Sequence, residues 1–129
     1  MRKNQVAGTA RRGFISLRLL GVVKGLDVWD MNIYDLPELP LPDELTTVLV
    51  ENVNVRIERI ISTGQISDWY DQPETEFAIL LEGRAGIEYE DGKTVTISKG
   101  DTLVIKPHER HRVSFTSTEP PCVWLCVFY

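Results

Sequence analysis

The sequence predicts an all-β domain, an antiparallel sandwich or barrel. Eight short runs rich in β-branched and aromatic residues follow one another at roughly ten-residue spacing, separated by Gly, Pro, Asp and Asn turn signals. No stretch beyond residue 31 carries a long apolar period of 3.6 residues, which a helix would need. The chain has 129 residues and a mass of 14.7 kDa, enough for one compact core and short for two.

The elements read in order as follows. Residues 31–44 hold Pro37, Pro40 and Pro42 and form an extended lead-in, because each proline fixes φ and disfavours helix before it. "TTVLVE" is the first strand, ending before Asn52. "VNVRIERIIS" alternates Val53, Val55 and Ile57 with polar residues and then shifts phase near Ile60. "EFAILLE" is apolar on both faces, as a buried strand is. "RAGIEYE" and "KTVTIS" flank Asp91-Gly92, a two-residue hairpin signal. "TLVIK", "RVSFTS" and "CVWLCVFY" complete the set, so the barrel spans 45–129. The last run is apolar on both faces and needs cover, either from sheet packing or from a second copy of the chain; a homodimer is expected.

Residues 1–30 form a basic N-terminal arm. It holds six Lys/Arg against two Asp/Glu, a net of +4, whereas residues 31–129 hold eight against seventeen, a net of −9. "RRGFISLRLLGVVKGL" starts like a secretion signal, but Arg18 and Lys24 interrupt the apolar stretch and no small-x-small cleavage site follows. It is too short and too charged to span a bilayer. Two readings stay open for it: an amphipathic docking helix using Phe14, Leu17, Leu19 and Leu20, or sequence translated upstream of a start at Met31.

The acidic body argues against nucleic acid, whose affinity for proteins comes largely from Lys and Arg displacing counterions. Cys122 and Cys126 are the only cysteines. Four apart on a strand they share a face but lie about 13 Å apart at ~3.3 Å per residue, beyond the ~7 Å reach of a disulfide. They read as small core residues in a reducing compartment, which places the protein in the cytoplasm.

The chemistry lies in two stretches, "GQISDWYDQPETEFAILLEG" and "KGDTLVIKPHERHRV". Gly64, Tyr70, Gln72, Glu76 and Gly83 stand at intervals of five, one, three and six intervening residues. Gly100-Asp101 then leads through Pro107 to His111. This pair of motifs resembles the two motifs of the cupin superfamily. With "WYDQ", "HRVSFTS" and "VWLCVFY", the chain is most similar to small single-domain bacterial cupins of the cupin 2 conserved-barrel type. The first motif is degenerate: Tyr70 and Gln72 stand where the family usually has histidines. In the second, Lys106 stands where the pattern has proline, Pro107 has slipped by one, and His108 replaces the usual glycine. The resemblance implies a jelly-roll barrel, commonly dimeric, with a small-molecule site inside.

In most cupins three histidines and a glutamate fix Fe, Mn, Ni, Zn or Cu. The matching set here is Tyr70, Gln72, Glu76 and His111, with one good imidazole and one good carboxylate. A glutamine carbonyl is a weak neutral donor and a tyrosine must ionise to bind well. In the alternative register Trp69 and Asp71 turn inward, and Asp71, Glu76 and His111 form a site of two carboxylates and one histidine. Against both stands a site without metal, in which Glu76 is satisfied by Arg112, Tyr70 or His111. A divalent metal (Fe, Mn, Zn or Ni) and no metal are equally weighted. Arg110 and Arg112 read equally as surface charges or site groups, His108 as a loop residue at the barrel mouth, and Trp69, Trp124, Phe77 and Phe128 as core or interface aromatics. Three functions follow: a metal-dependent oxygenase or isomerase anchored by His111 and Glu76; a metal-free acid/base isomerase using His111 and Tyr70; and a binding or sensing module without turnover.

Overall fold

The computed structural model describes residues 31–129, and the expectations for the arm, residues 1–30, lie outside the described residues. Eight strands occur where eight runs were read: β1 (Leu45–Glu51), β2 (Arg56–Ser62), β3 (Glu76–Glu82), β4 (Arg84–Tyr89), β5 (Thr94–Ser98), β6 (Thr102–Ile105), β7 (His111–Thr116) and β8 (Cys122–Phe128). Every named pairing is antiparallel. A five-stranded sheet runs β1-β2-β8-β3-β6 and a three-stranded sheet runs β5-β4-β7, and the two close over one interior as a jelly-roll barrel. Among the described residues no helix is long and apolar enough to cross a membrane.

One boundary differs from the sequence reading. Val53 and Val55 continue the alternation of β2, but the strand begins only at Arg56. Asn52 starts a turn instead: its Oδ1 accepts the N–H groups of Asn54 (2.8 Å) and Val55 (3.0 Å). An Asn side chain that satisfies the backbone locally competes with the ladder, and Val53 is left 97% exposed.

Alternation along the strands sorts side chains into an inner and an outer set. Ile60 of β2, Ala78 and Leu80 of β3, Ile87 of β4, and Trp124 and Cys126 of β8 point inward and are buried. Cys122 and Cys126 are both free and buried, as their spacing required. The β3–β4 corner needs a glycine. Gly83 has φ +94°, and a Cβ there would lie 2.7 Å from the Pro121 carbonyl oxygen. The lead-in is pinned to β2 from outside. Arg59 donates through Nη1 to the Ile33 and Asp35 carbonyls (3.2 and 2.8 Å), and the Leu41 N–H donates to Thr63 Oγ1 (2.9 Å).

Candidate functional site

His111 begins β7 and is held between two neighbours. Its cross-strand partner on β4 is Tyr89, and on the other side its backbone exchanges hydrogen bonds with Tyr70 (2.7 and 3.1 Å). The imidazole is therefore flanked by two tyrosine rings, with centroids 5.7 Å (Tyr70) and 6.4 Å (Tyr89) away. Its Nδ1 lies 2.8 Å from the Glu109 carbonyl oxygen. A carbonyl only accepts, so Nδ1 carries the hydrogen and the neutral ring keeps its lone pair on Nε2. That atom lies 4.0 Å from Glu76 Oε1.

Glu76 opens β3 on the inner face, in phase with Ala78 and Leu80, and is buried. Its Oε1 accepts a hydrogen bond from Gln72 Nε2 at 3.1 Å. A buried carboxylate requires such partners. Both groups reach a cavity of about 40 Å³, lined also by Tyr70, Ile60, Ile87 and Trp124. The cavity is large enough for water and opens toward solvent.

The structure thus brings Tyr70, Glu76 and His111 together around one cavity, while Gln72 does not line it and reaches Glu76 through its amide. Asp71 it places apart: its Oδ1 lies 2.7 Å from His108 Nδ1, at an exposed position. Arg112 turns outward to Glu88 (2.7 Å), Arg110 pairs with Glu90 (3.3 Å), and both guanidinium groups lie over Trp69 (5.0 and 5.3 Å). Glu76 is therefore satisfied from Gln72, not from Arg112. Trp124 and Phe128 are core aromatics.

Three residues near the site escaped the sequence reading. Glu44, at the end of the lead-in, lines the cavity and accepts from Ser62 Oγ at 3.1 Å. Glu58 points inward from β2 in the cross-strand row of Cys126 and Ala78; its Oε2 takes Arg56 Nε at 2.7 Å, and its buried Oε1 has no hydrogen-bond partner. Burial pulls the Arg56 guanidinium down, but attraction to Glu58 and Glu74 outweighs it, leaving its pKa above the ordinary value. Tyr89 is pushed up, first by burial and then by Glu109, Glu76 and Asp91, so its phenol is held neutral beside His111. The phase of β4 and β2 could have indicated Tyr89 and Glu58. Nothing local marks Glu44.

The donor set can be tested against a divalent metal. His111 and Glu76 are the two strong ligands, and their 4.0 Å separation would admit two bonds of about 2 Å. Catalytic centres commonly keep three protein ligands. Gln72 is oriented with its NH₂ toward Glu76, since the flipped amide would set oxygen against oxygen, and an NH₂ cannot ligate. Among the described residues no group of three or more His, Cys, Asp or Glu is arranged to hold a metal ion. By donor chemistry the set offers two strong ligands, His111 and Glu76, one short of the three that catalytic centres commonly keep.

Comparisons with known proteins bear on the fold and the family. The family model for a cupin domain matches residues 58–128. A Ralstonia eutropha protein, provisionally named a mannose-6-phosphate isomerase, is 39% identical; the match covers 76% of this chain and 94% of that one, with a TM-score of 0.72. A cupin superfamily protein from Desulfitobacterium hafniense (16% identity, 71% and 82% covered, TM-score 0.63) shares the fold. So does the DMSP lyase DddQ from Ruegeria pomeroyi (14% identity, 66% and 46% covered, TM-score 0.59). No protein with a curated description matches the chain.

Proposed function

The chain belongs to the cupin family, and on that premise we propose that its barrel performs metal-independent proton transfer on the end of a small carbonyl compound, as an isomerase. The observation that carries the reading is the fixed tautomer of His111. With Nδ1 held by the Glu109 carbonyl, Nε2 faces the cavity side as a base. It takes the proton from the carbon next to the carbonyl, and the electron pair moves to the oxygen as an enolate. Tyr70, on the same cavity, donates to that oxygen. The carboxylate of Glu76, 4.0 Å away, stabilises the imidazolium until the proton returns to carbon. The step is balanced without oxidant or reductant. The provisional name of the Ralstonia eutropha protein, that of an isomerase, supports the same reaction class.

Incubation in deuterated buffer with small aldoses, ketoses and hydroxycarbonyl compounds tests this. Deuterium should enter one of them at the carbon beside the carbonyl, at a rate that a chelator leaves unchanged and His111→Ala abolishes. Loss of exchange on chelation would restore the metal-dependent reading, and saturable binding without exchange would make the barrel a sensing module.

The functional unit in this reading is 31–129, because the lead-in supplies Glu44 to the cavity. The buried free cysteines support a reducing, cytoplasmic location. The assembly is a homodimer, supported by the apolar outer side of β8.

A further inference from the structure

Four of the side chains that line the cavity are strong hydrogen-bonding groups, and the proton transfer proposed above uses three of them: His111, Tyr70 and Glu76. The fourth is Glu44, the last residue before β1, which no step of that reaction requires. Its place is set from β2. The hydroxyl of Ser62, a fully buried residue, donates to Glu44 Oε2 at 3.1 Å, and Glu44 itself is half-buried. With an ordinary glutamate pKa of about 4.3, such a group is a carboxylate at neutral pH.

The rest of the lining is mostly apolar, with Ile60, Ile87, Leu103 and Val113 among its walls. Among the described residues no lysine or arginine lines the cavity. The guanidinium groups around it are committed to other carboxylates. Arg56, in phase with Glu58 and Ile60 on β2, binds Glu58 at 2.7 Å and Glu74 at 3.1 Å, one cation against two anions. Arg112 and Arg110 turn to Glu88 and Glu90. The body from residue 31 onward carries a net of −9, so the long-range field has the same sign as the wall.

This lining selects by charge. A phosphate or carboxylate on the ligand would stand beside Glu44 and Glu76 with no cation to answer it, in a space where water screens little. A polyhydroxylated ligand meets a different obstacle, because each hydroxyl buried against an apolar wall without a partner is penalised. A single ammonium on a short carbon skeleton asks for one strong acceptor and leaves its carbons to the apolar side chains. A hydrogen bond between ionised partners is also about twice as strong as a neutral one.

We infer that Glu44 sets the substrate class of this site: a short carbonyl compound bearing a cationic amino group. Its ammonium sits on the Glu44 carboxylate while its carbonyl end lies between His111 and Tyr70. This rests on the isomerase reading and deepens it. The ammonium takes no part in the proton transfer and leaves as it came, so Glu44 is a specificity-determining residue.

The test reads binding and exchange separately, on the full chain near neutral pH. Two sets of compounds keep the skeleton and change the charge: aminoacetone, hydroxyacetone and pyruvate in one, glucosamine, glucose and glucuronate in the other. Titrations followed by NMR should show the ammonium member binding at least tenfold more tightly than the hydroxyl member in one set or both, and the carboxylate member most weakly. Glu44→Gln keeps an acceptor for Ser62 but removes the charge, so the ammonium-to-hydroxyl ratio should fall toward one. Glu44→Lys should reverse the order, which loss of a merely structural contact would not do. Wild type that shows no preference for the ammonium in either set overturns the inference without any variant having to fold. So does a preference that Glu44→Gln leaves intact. Exchange of hydroxyacetone or glucose in the absence of that preference would keep the isomerase reading while removing the substrate class. A Glu44-dependent preference without His111-dependent deuterium exchange would do the opposite, leaving a charge-selective binding site and overturning the isomerase.

Discussion

The chain has two histidines, and each faces a carboxylate in a different setting. His108 Nδ1 lies 2.7 Å from Asp71 Oδ1, with the side chains 67% and 54% exposed. His111 Nε2 lies 4.0 Å from Glu76 Oε1, with the side chains 5% and 11% exposed. The shorter contact is the weaker candidate for function. Once His111 has taken a proton, two unit charges 4 Å apart interact by about 1 kcal/mol in bulk water and about 4 kcal/mol at an effective dielectric of 20, so burial outweighs an ångström of distance. Water and salt also screen the exposed pair, and exposed pairs contribute about 0–1 kcal/mol. The buried pair keeps a gap into which a reacting atom can come, with the ring already fixed by Glu109. Proximity in a static structure marks a satisfied pair, whereas a gap between two oriented buried groups marks a place for a third.

The largest effect should come from removing the buried member. His111→Ala deletes the base, the bond to the Glu109 carbonyl and the polar neighbour of Glu76 in one step. Proton exchange should be lost, and urea unfolding should show a loss of about 2–3 kcal/mol from the cavity and the lost hydrogen bond to the Glu109 carbonyl. Retained exchange would break the comparison, because it would move the chemistry to another group.

Gln72→His sharpens the comparison from the other side. It adds a third strong ligand beside the 4.0 Å gap. Protein purified from metal-supplemented medium should then carry near-stoichiometric zinc or nickel by elemental analysis, well above wild type. An equal, high content in both would show that the wild-type donors suffice after all.

A third test uses the tyrosine behind His111. Because the Tyr89 pKa is raised in the folded chain, the unfolded chain gives up its phenolic proton first. Stability attached to Tyr89 is fully present below the unfolded value of about 10 and declines as pH rises from there through the folded value. Urea midpoints should therefore fall as pH rises above about 10 in wild type and fall less in Tyr89→Phe.

How much of this was legible in the sequence differs between the barrel and its site. All eight strands followed from period and turn residues, and Asp91-Gly92 does turn between β4 and β5: the Gly92 N–H bonds the Tyr89 carbonyl at 2.9 Å. Val53 misled because alternation says nothing of the Asn52 side chain, which closes a turn on the same residues. At the site, the resemblance to the two cupin motifs grouped Gln72, Glu76 and His111, and strand phase explains why Glu76 faces inward with Ala78 and Leu80. What spacing could not decide was the register of Tyr70 against Asp71. The Tyr70–His111 backbone bridge, a contact over 41 positions of sequence, sets it. Glu44 was illegible for a similar reason, because its place depends on how the lead-in crosses to Ser62 and Thr63.

The smallest effect belongs to the exposed histidine, and it separates two small energies. His108 has φ +60°, in the left-handed region that disfavours most side chains, at the position where the sequence pattern has glycine. Its side chain adds the 2.7 Å contact to Asp71, while its backbone N–H donates to the Gln72 carbonyl at 2.7 Å and does not depend on the side chain. His108→Ala keeps the strained φ and loses the pair, so it should cost about 0.5–1 kcal/mol. His108→Gly loses the same pair but relieves the φ, so it should match or exceed wild type by a few tenths of a kcal/mol at roughly the same exchange rate. If His108→Gly instead destabilises by more than about 1.5 kcal/mol, the exposed pair holds the loop after Ile105 in place. The contrast between an inert short contact and a functional long one would then fail.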